Sequence, residues 1–248
     1  MKGRIGMKTI VSILFLAFAL NINAQTSNQA DFPQIYTTSG GELIFSTATD
    51  VEGALRFSPL FNIQNFLNYD LSHAFGLFSG WSLRNIGFIY EVPDEIVDDV
   101  NLEIRKKFRT YNIGIPVGFK LGDLNDLFLY GGYELEIPFH YKEKTFVNGD
   151  KNRKKSDWFS GKISPFQHSI LLGVQLPHGM NIKFKYYFTD FFYEHEVMAL
   201  NNSESRHQNF YYYPTLINVF YFSFSFCLFT NDKFTIDDPF NFTQRAQR

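Results

Sequence analysis

Near its C-terminus the chain alternates bulky apolar and smaller side chains with a period of two, in the run VFYFSFSFCLF from Val219 to Phe229. Successive side chains of a β-strand point to opposite faces, so this pattern predicts a strand with two unlike faces. One face carries Phe220, Phe222, Phe224, Phe226 and Leu228, and the other carries Tyr221, Ser223, Ser225 and Cys227. A strand with so apolar a face would aggregate in water. It must therefore be covered, either by a second sheet or by lipid.

The same alternation recurs along most of the chain, and outside the first 24 residues no segment has the pattern of a long amphipathic helix. The predicted strands are 40–49, 65–72, 75–90, 110–122, 127–142, 166–176, 181–188 and 219–229. Several of them run for about 11 to 16 residues, whereas strands of globular proteins average about 5 to 6 residues. Such lengths suit strands that cross a bilayer at a tilt.

The connections between these strands alternate between short and long. Short turns are predicted at 73–75, 122–126 and 177–180, and long polar connections at 50–64, 91–107, 144–163 and 195–208. An even number of strands with short turns at one end and longer loops at the other is typical of an outer-membrane barrel. Aromatic residues at strand ends fit the girdles of such a barrel: Trp81, Tyr90, Tyr111, Tyr141, Tyr193 and Tyr211 to Tyr213.

The alternative is a secreted β-sandwich or a lipocalin-like barrel with the apolar faces turned inward. The Phe, Leu and Ile side chains of eight long strands would overfill its interior, because an eight-stranded barrel barely holds its own side chains. The sequence therefore predicts an all-β fold, an eight-stranded antiparallel transmembrane β-barrel. We expect it in the outer membrane of a Gram-negative bacterium.

The N-terminus predicts export. Lys8 precedes an apolar stretch, Ile10 to Leu20, which has the length of a signal peptide and is short for a membrane span. We predict a signal peptide over residues 1–24, with an uncleaved anchor as the alternative. A periplasmic segment (25–39), the barrel domain (40–229) and a periplasmic tail (230–248) would follow. The single cysteine, Cys227, excludes an intrachain disulfide.

The charge balance argues against a nucleic-acid partner. The net charge is −2, and no basic stripe of the kind that binds nucleic acid is present. Removing residues 1–24 would take away Lys2, Arg4 and Lys8 and no acidic residue, so the mature chain would be more acidic still.

Charged residues at alternate strand positions are predicted to face the lumen: Arg84, Lys120, Glu134, Glu136, His140, Lys142, Lys183 and Lys185. Buried charges must be paired, so their mixed signs favour a salt-bridged plug. A narrow polar channel and a catalytic site are the alternatives.

No enzyme signature supports the catalytic alternative. His168 and Ser169 are adjacent on one strand and point to opposite faces, which makes them a poor base and nucleophile. Glu194, His195, Glu196 and His207 are possible metal ligands, but they lie in a polar loop that fixes no geometry. We predict no catalytic residue, no metal and no cofactor.

Two predicted loops differ in charge. Residues 91–103 are rich in acids, whereas the next long loop carries Lys151, Arg153, Lys154 and Lys155. Either the two loops attract each other at the rim, or the basic residues form a docking patch for a partner protein or for lipopolysaccharide phosphates.

Three stretches carry a family resemblance: RTYNIGIPVGFKLG, LFLYGGYELEIPFHYKEKTF and LLGVQLPHGMNIKFKYYFTDFF. Together they resemble the PorT-like outer-membrane β-barrel family of Bacteroidota, over roughly residues 40–229. The resemblance implies a barrel, and the family's name-giving member belongs to a secretion apparatus. No motif carries that role over to this chain, so the resemblance supports the barrel and leaves the role open. We predict a structural or interaction component of the outer membrane or of an envelope complex such as a secretion apparatus. Its partners would be outer-membrane lipid, lipopolysaccharide and other envelope proteins; a small porin-like channel or uptake protein and an outer-membrane enzyme are the alternatives.

Overall fold

The computed structural model describes residues 32–51, 53–92, 103–193, 214, 216–230 and 233–235. These residues form one antiparallel sheet, and a short 3₁₀ turn lies at Pro177–Gly179. In chain order the strands are β1 Gln34–Ala48, β2 Arg56–Ser58, β3 Ile63–Asp70, β4 Phe75–Glu91, β5 Ile104–Gly122, β6 Phe128–Val147, β7 Asp150–Trp158, β8 Gln167–Gln175, β9 Met180–Tyr187, β10 Val219–Thr230 and β11 Phe234–Thr235. In the described part of the chain, no helix has both the length and the apolar character needed to cross a membrane.

Eight of these strands close into a ring. Neighbours follow the order β10-β9-β8-β6-β5-β4-β3-β1, and β10 pairs with β1 to complete the barrel. At this closure Leu43 lies opposite Phe224. The short strands β2 and β11 add to β1, and β7 adds to β6. The predicted fold class is confirmed, and each of the eight predicted segments overlaps one ring strand.

The two ends of the barrel differ. At one end short turns join β3 to β4, β5 to β6 and β8 to β9, closed by backbone hydrogen bonds such as Asp123 N to Leu127 O, 2.9 Å. We call this the short-turn end. We call the opposite end the loop end. Strands β4, β5 and β6, which extend toward it, are 17, 19 and 20 residues long. A transmembrane strand needs only about 9 to 11 residues, so these strands extend beyond a bilayer.

Two strand assignments differ from the sequence prediction. Strand β1 begins at Gln34, inside the segment predicted to be periplasmic, because Gln34 and Ile35 pair with both β3 and β11. Strand β7 lies where a loop was predicted. It follows a two-residue turn at Asn148 and Gly149, whose φ angles of 50° and 86° are both positive, as in a type I′ hairpin.

The outer wall is apolar. Many large apolar side chains lie exposed on it, including Ile113, Ile115, Val117 and Phe119 of β5, Ile170 and Leu172 of β8, and Phe222, Phe224 and Phe226 of β10. The inner face of the barrel carries buried polar side chains, including Arg84, Glu134, Lys183, Lys185 and Ser223. This polarity is the reverse of a water-soluble barrel, and it suits a barrel surrounded by lipid.

A bulge in β6 changes which residues face the lumen. Asn112 of β5 lies opposite Pro138, but Tyr111 lies opposite His140, so β6 contains one extra residue at this point. One inserted residue exchanges the two faces of the strand beyond it. His140 and Lys142 therefore lie on the outer face, and their predicted place in the lumen network is wrong.

Candidate functional site

Charged side chains fill the middle of the lumen. Glu134 and Glu136 point inward from β6, where Lys185 Nζ of β9 lies 2.7 Å from Glu134 Oε2 and 2.5 Å from Glu136 Oε1. Nη1 of Arg84, on β4, contacts Glu134 and lies 3.2 Å from Glu136 Oε1. All four side chains are completely buried.

Glu42 of β1 completes this layer, although sequence reasoning left it out. Arg84 Nε donates to Glu42 Oε2 at 3.1 Å, and Lys183 also pairs with Glu42. Arg84, Lys183 and Lys185 thus face the carboxylates of Glu42, Glu134 and Glu136, and the formal charges cancel. We call these six residues the lumen cluster. The signal for Glu42 was present, since it alternates with Leu43 in the first predicted strand.

Neutral polar groups satisfy much of the remaining bonding capacity of the lumen cluster. Asn112 Nδ2 donates to Glu136 Oε2 at 2.8 Å and to Gln167 Oε1 at 2.9 Å. Tyr187 donates its hydroxyl to Glu136 Oε1 at 2.9 Å, and the Ser82 hydroxyl donates to Glu134. A connected network of this kind holds every charge in a fixed position, because each alternative position would leave a buried group unpaired.

Lys120 forms a separate pair near the short-turn end. Its Nζ pairs with Asp70 and donates to Tyr36 Oη at 3.0 Å and Asn68 Oδ1 at 3.1 Å. Lys120 borders a cavity of about 250 Å³ whose lining also includes turn residues and Gln64. Gln64 in turn accepts a hydrogen bond from Lys183 Nζ at 3.1 Å, so the lumen cluster lies next to the cavity.

A layer of aromatic side chains packs inside the lumen at the loop end. The ring centroid of Phe88 lies 5.3 Å from that of Phe108 and 5.2 Å from that of Phe191, and Phe108 lies 5.0 Å from Phe192. All four side chains are buried. We call them the aromatic plug. Phe191 and Phe192 follow β9, and Phe191 N is held by Ile217 O at 2.7 Å.

The predicted basic docking patch lies on β7 and is divided between two faces. In the strand register, Lys154 lies opposite Lys144 of β6, and Lys151 lies opposite Phe146. Both Lys151 and Lys154 are therefore on the outer face. Arg153 pairs with Thr145, and Lys155 with Glu143, on the opposite face of the hairpin. Most of the acidic loop predicted to face them, residues 93–102, lies outside the described residues.

Lys106 lies on that opposite face, beyond the part of β5 that crosses the bilayer. Its side chain is buried, and burial lowers the pKa of this lysine to about 8, with Glu143 raising it and Lys155 lowering it further. The loop end therefore contains a lysine whose pKa of about 8 lies close to neutral pH.

The geometry does not favour catalysis at the histidine and serine considered from sequence. Ser169 Oγ points into the barrel and donates to Glu134 O at 2.9 Å, whereas His168 Nδ1 points outward and lies 2.5 Å from Tyr133 Oη. Within the described ranges, no three His, Cys, Asp or Glu side chains are grouped so as to hold a metal ion. Glu194, His195, Glu196 and His207 lie outside the described residues.

An apolar outer wall, a charged lumen and short turns at one end are the features of outer-membrane barrels. The fold therefore defines an integral β-barrel protein of a Gram-negative outer membrane. No family model and no curated protein matches the sequence.

The solved structures that match this chain include three bacterial proteins. Ail, the attachment invasion locus protein of Yersinia pestis, is 12% identical, with a TM-score of 0.37 over 82% of this chain and 99% of its own. Neisserial surface protein A is 9% identical, with a TM-score of 0.36 over 82% and 97%. OprG of Pseudomonas aeruginosa is 10% identical, with a TM-score of 0.33 over 84% and 99%. Similarity at this level concerns the fold alone.

Proposed function

We propose that the protein is a closed, non-conducting barrel that serves as a structural or interaction component of the outer membrane or of an envelope complex. The observation that carries this proposal is the filled lumen. The lumen cluster and the aromatic plug follow one another along the barrel axis, and both consist of buried side chains. A protein without a path for solutes acts through its outer wall and its ends.

The lumen cluster is a strong barrier because its charges are fully paired. Moving one partner aside to admit an ion would leave an uncompensated buried charge, which costs about 3 to 5 kcal/mol. The interior of an eight-stranded barrel is also only wide enough for its own side chains. The cavity near Lys120 lies next to the paired charges of the lumen cluster. It therefore supports the porin-like alternative only as an entrance that ends at this cluster.

Conductance in planar bilayers tests the closed barrel. We expect no single-channel steps from the refolded wild-type protein. The variant F191A/F192A opens the aromatic plug and leaves the lumen cluster intact, so it should also stay closed. Reproducible steps from the wild-type protein would instead establish the channel alternative, and steps from the variant alone would show that the plug is the only barrier.

The same proposal includes membership of the PorT-like family and a place in a secretion apparatus. Its support is the three strand stretches quoted above, which specify architecture better than activity. Crosslinking in native membranes from cysteines introduced at the loop end and at the short-turn end tests it. A defined adduct with one envelope protein would support the interaction role, and crosslinks to lipid alone would leave a purely structural one.

A further inference from the structure

The outer face of the loop end is strongly basic. Lys107, Lys144 and Lys154 lie in one row across β5, β6 and β7, and Arg109 and Lys142 form the next row. The outward-facing cations of the three strands are Arg105, Lys107, Arg109, Lys142, Lys144, Lys151 and Lys154. We call them the outer basic patch. Each is at least partly exposed, and they continue the face that carries the apolar wall.

An aromatic group separates the outer basic patch from the apolar wall. The ring of Trp158 lies 4.6 Å from that of His140 and 6.0 Å from that of Phe139, and Tyr111 lies 5.5 Å from His140. Trp158 is 68% exposed. Aromatic girdles lie at the level of lipid headgroups in membrane barrels, so the bilayer interface lies at this group.

The position of the patch relative to this interface indicates what it faces. Arg109 and Arg105 are four and eight residues beyond Ile113 along β5. At about 3.3 Å per residue and a tilt of about 35–45°, they lie about 10 to 20 Å above the apolar wall. By the same measure the aromatic group lies about 5 Å above Ile113, so the row of Arg109 and Lys142 lies about 5 Å beyond the interface, within a headgroup layer about 5 to 8 Å thick. Its side chains point toward these headgroups, and Lys107 and Arg105 lie farther out along the strand.

Four of the seven cations of the patch have no ion-pair partner in the described part of the chain, whereas Glu91 of β4 lies opposite Arg105. No carboxylate in that part of the chain lies within ion-pair distance of Lys107, Arg109, Lys142 or Lys144. Partial burial, followed by the neighbouring Arg109 and Lys154, lowers the pKa of Lys142. A bound anion would relieve this repulsion.

Arg105 adds a donor suited to a phosphate. Its guanidinium carbon lies 5.8 Å from the centroid of the Phe146 ring, which Lys107 Nζ also approaches at 5.2 Å. A guanidinium held in this way can offer two parallel donors to phosphate oxygens.

We propose that the outer basic patch binds the phosphate groups of lipid A, the phosphorylated glycolipid of the outer leaflet. Charge, height and the direction of the side chains favour a lipid that lies beside the barrel over a soluble protein that docks from above. The proposal depends on the barrel lying in an outer membrane, but it does not depend on the closed lumen.

The test compares two variants that each remove two positive charges from the same hairpin. K142Q/K144Q changes the outer face, and the matched control R153Q/K155Q changes the opposite face. Each protein is refolded in detergent, its folding is checked by the mobility of the unboiled protein, and bound lipid is measured by native mass spectrometry. The probes are diphosphoryl lipid A, its dephosphorylated form and phosphatidylglycerol.

We expect the wild-type protein and R153Q/K155Q to bind diphosphoryl lipid A at least about tenfold more tightly than the dephosphorylated form. K142Q/K144Q should lose most of this preference. Equal binding by both variants, or equal binding of the two forms of lipid A, would overturn the proposal. Phosphatidylglycerol that binds as tightly as lipid A would overturn the choice of lipid. None of these results bears on conductance, so the closed barrel is tested separately.

Discussion

Arg84 of β4 lies between Glu42 of β1 and Glu134 of β6, and its Nε donates to Glu42 Oε2 at 3.1 Å in a part of the lumen closed to solvent. We predict that R84M destabilises the folded barrel by about 3 to 5 kcal/mol, because three carboxylates would then face two lysines. Urea unfolding in lipid vesicles measures the change. The double variant R84M/E134Q restores the charge balance and should recover part of the loss. Wild-type stability in R84M would show that the charges are not coupled.

The outer wall predicts a difference between two phenylalanines of β10. Phe224 lies within the apolar wall, whereas Phe229 lies at the short-turn end and is 71% exposed. A charge in the middle of the bilayer costs about 2 to 4 kcal/mol, and one near the interface costs about 0 to 1 kcal/mol. F224R should therefore lower the free energy of unfolding, measured in vesicles, much more than F229R does. Equal, small effects would favour a barrel that is surrounded by water.

The hairpin that carries β7 depends on its turn. Gly149 has a φ of 86°, which an alanine adopts only with strain, although no atom would crowd the added methyl group. We predict that G149A destabilises the hairpin by about 1 kcal/mol. Hydrogen exchange should become faster in β7 and remain unchanged in β8. The control N148G keeps the positive φ available and should leave the exchange of β7 as it is; unchanged exchange in G149A would argue against a type I′ turn.

Lys106 predicts a dependence of stability on pH. Burial lowers the pKa of its folded form to about 8 from an ordinary 10.5. Between these values the unfolded chain binds more protons than the folded one, so the free energy of unfolding should increase as the pH rises from about 8 to 10.5. The full increase is on the order of 3 kcal/mol. Unfolding measured across this range should show a larger increase in the wild-type protein than in K106M, which keeps every other titratable group, and the difference between the two reports Lys106.

The fold was predictable because alternation with a period of two fixes which side of a strand meets lipid. The faces assigned to β10 from sequence, with Phe224 outside and Ser223 inside, are those of the structure. Arg84, Glu134, Glu136, Lys183 and Lys185 also lie inside, as the alternation indicates. Phe191 and Phe192 could not be placed in this way, because they enter the lumen from a segment that follows a strand and has no strand periodicity of its own.

Two other differences have local causes. The pair Asn148 and Gly149 is a strong hairpin signal, but the sequence after it is rich in lysine, which is depleted in strands, so its strand pattern is weak. His140 and Lys142 were misplaced because the alternation was continued through Pro138, where the bulge inserts a residue. A proline within a strand often marks such a bulge, and this signal was available in the sequence.

The bulge in β6 also has a consequence for how the protein can change by mutation. Loss of the single codon for Phe139 would remove the extra residue, because Pro138 already lies opposite Asn112 and His140 opposite Tyr111. Lys142 and Lys144 would keep their outward direction, and Tyr141 and Glu143 would still face the barrel axis. The strand thus tolerates a change of one residue in length at this point without exchanging the inner and outer surfaces of the loop end. Homologues that lack the extra residue should therefore carry their outward lysines at odd rather than even separations from the inward Glu134.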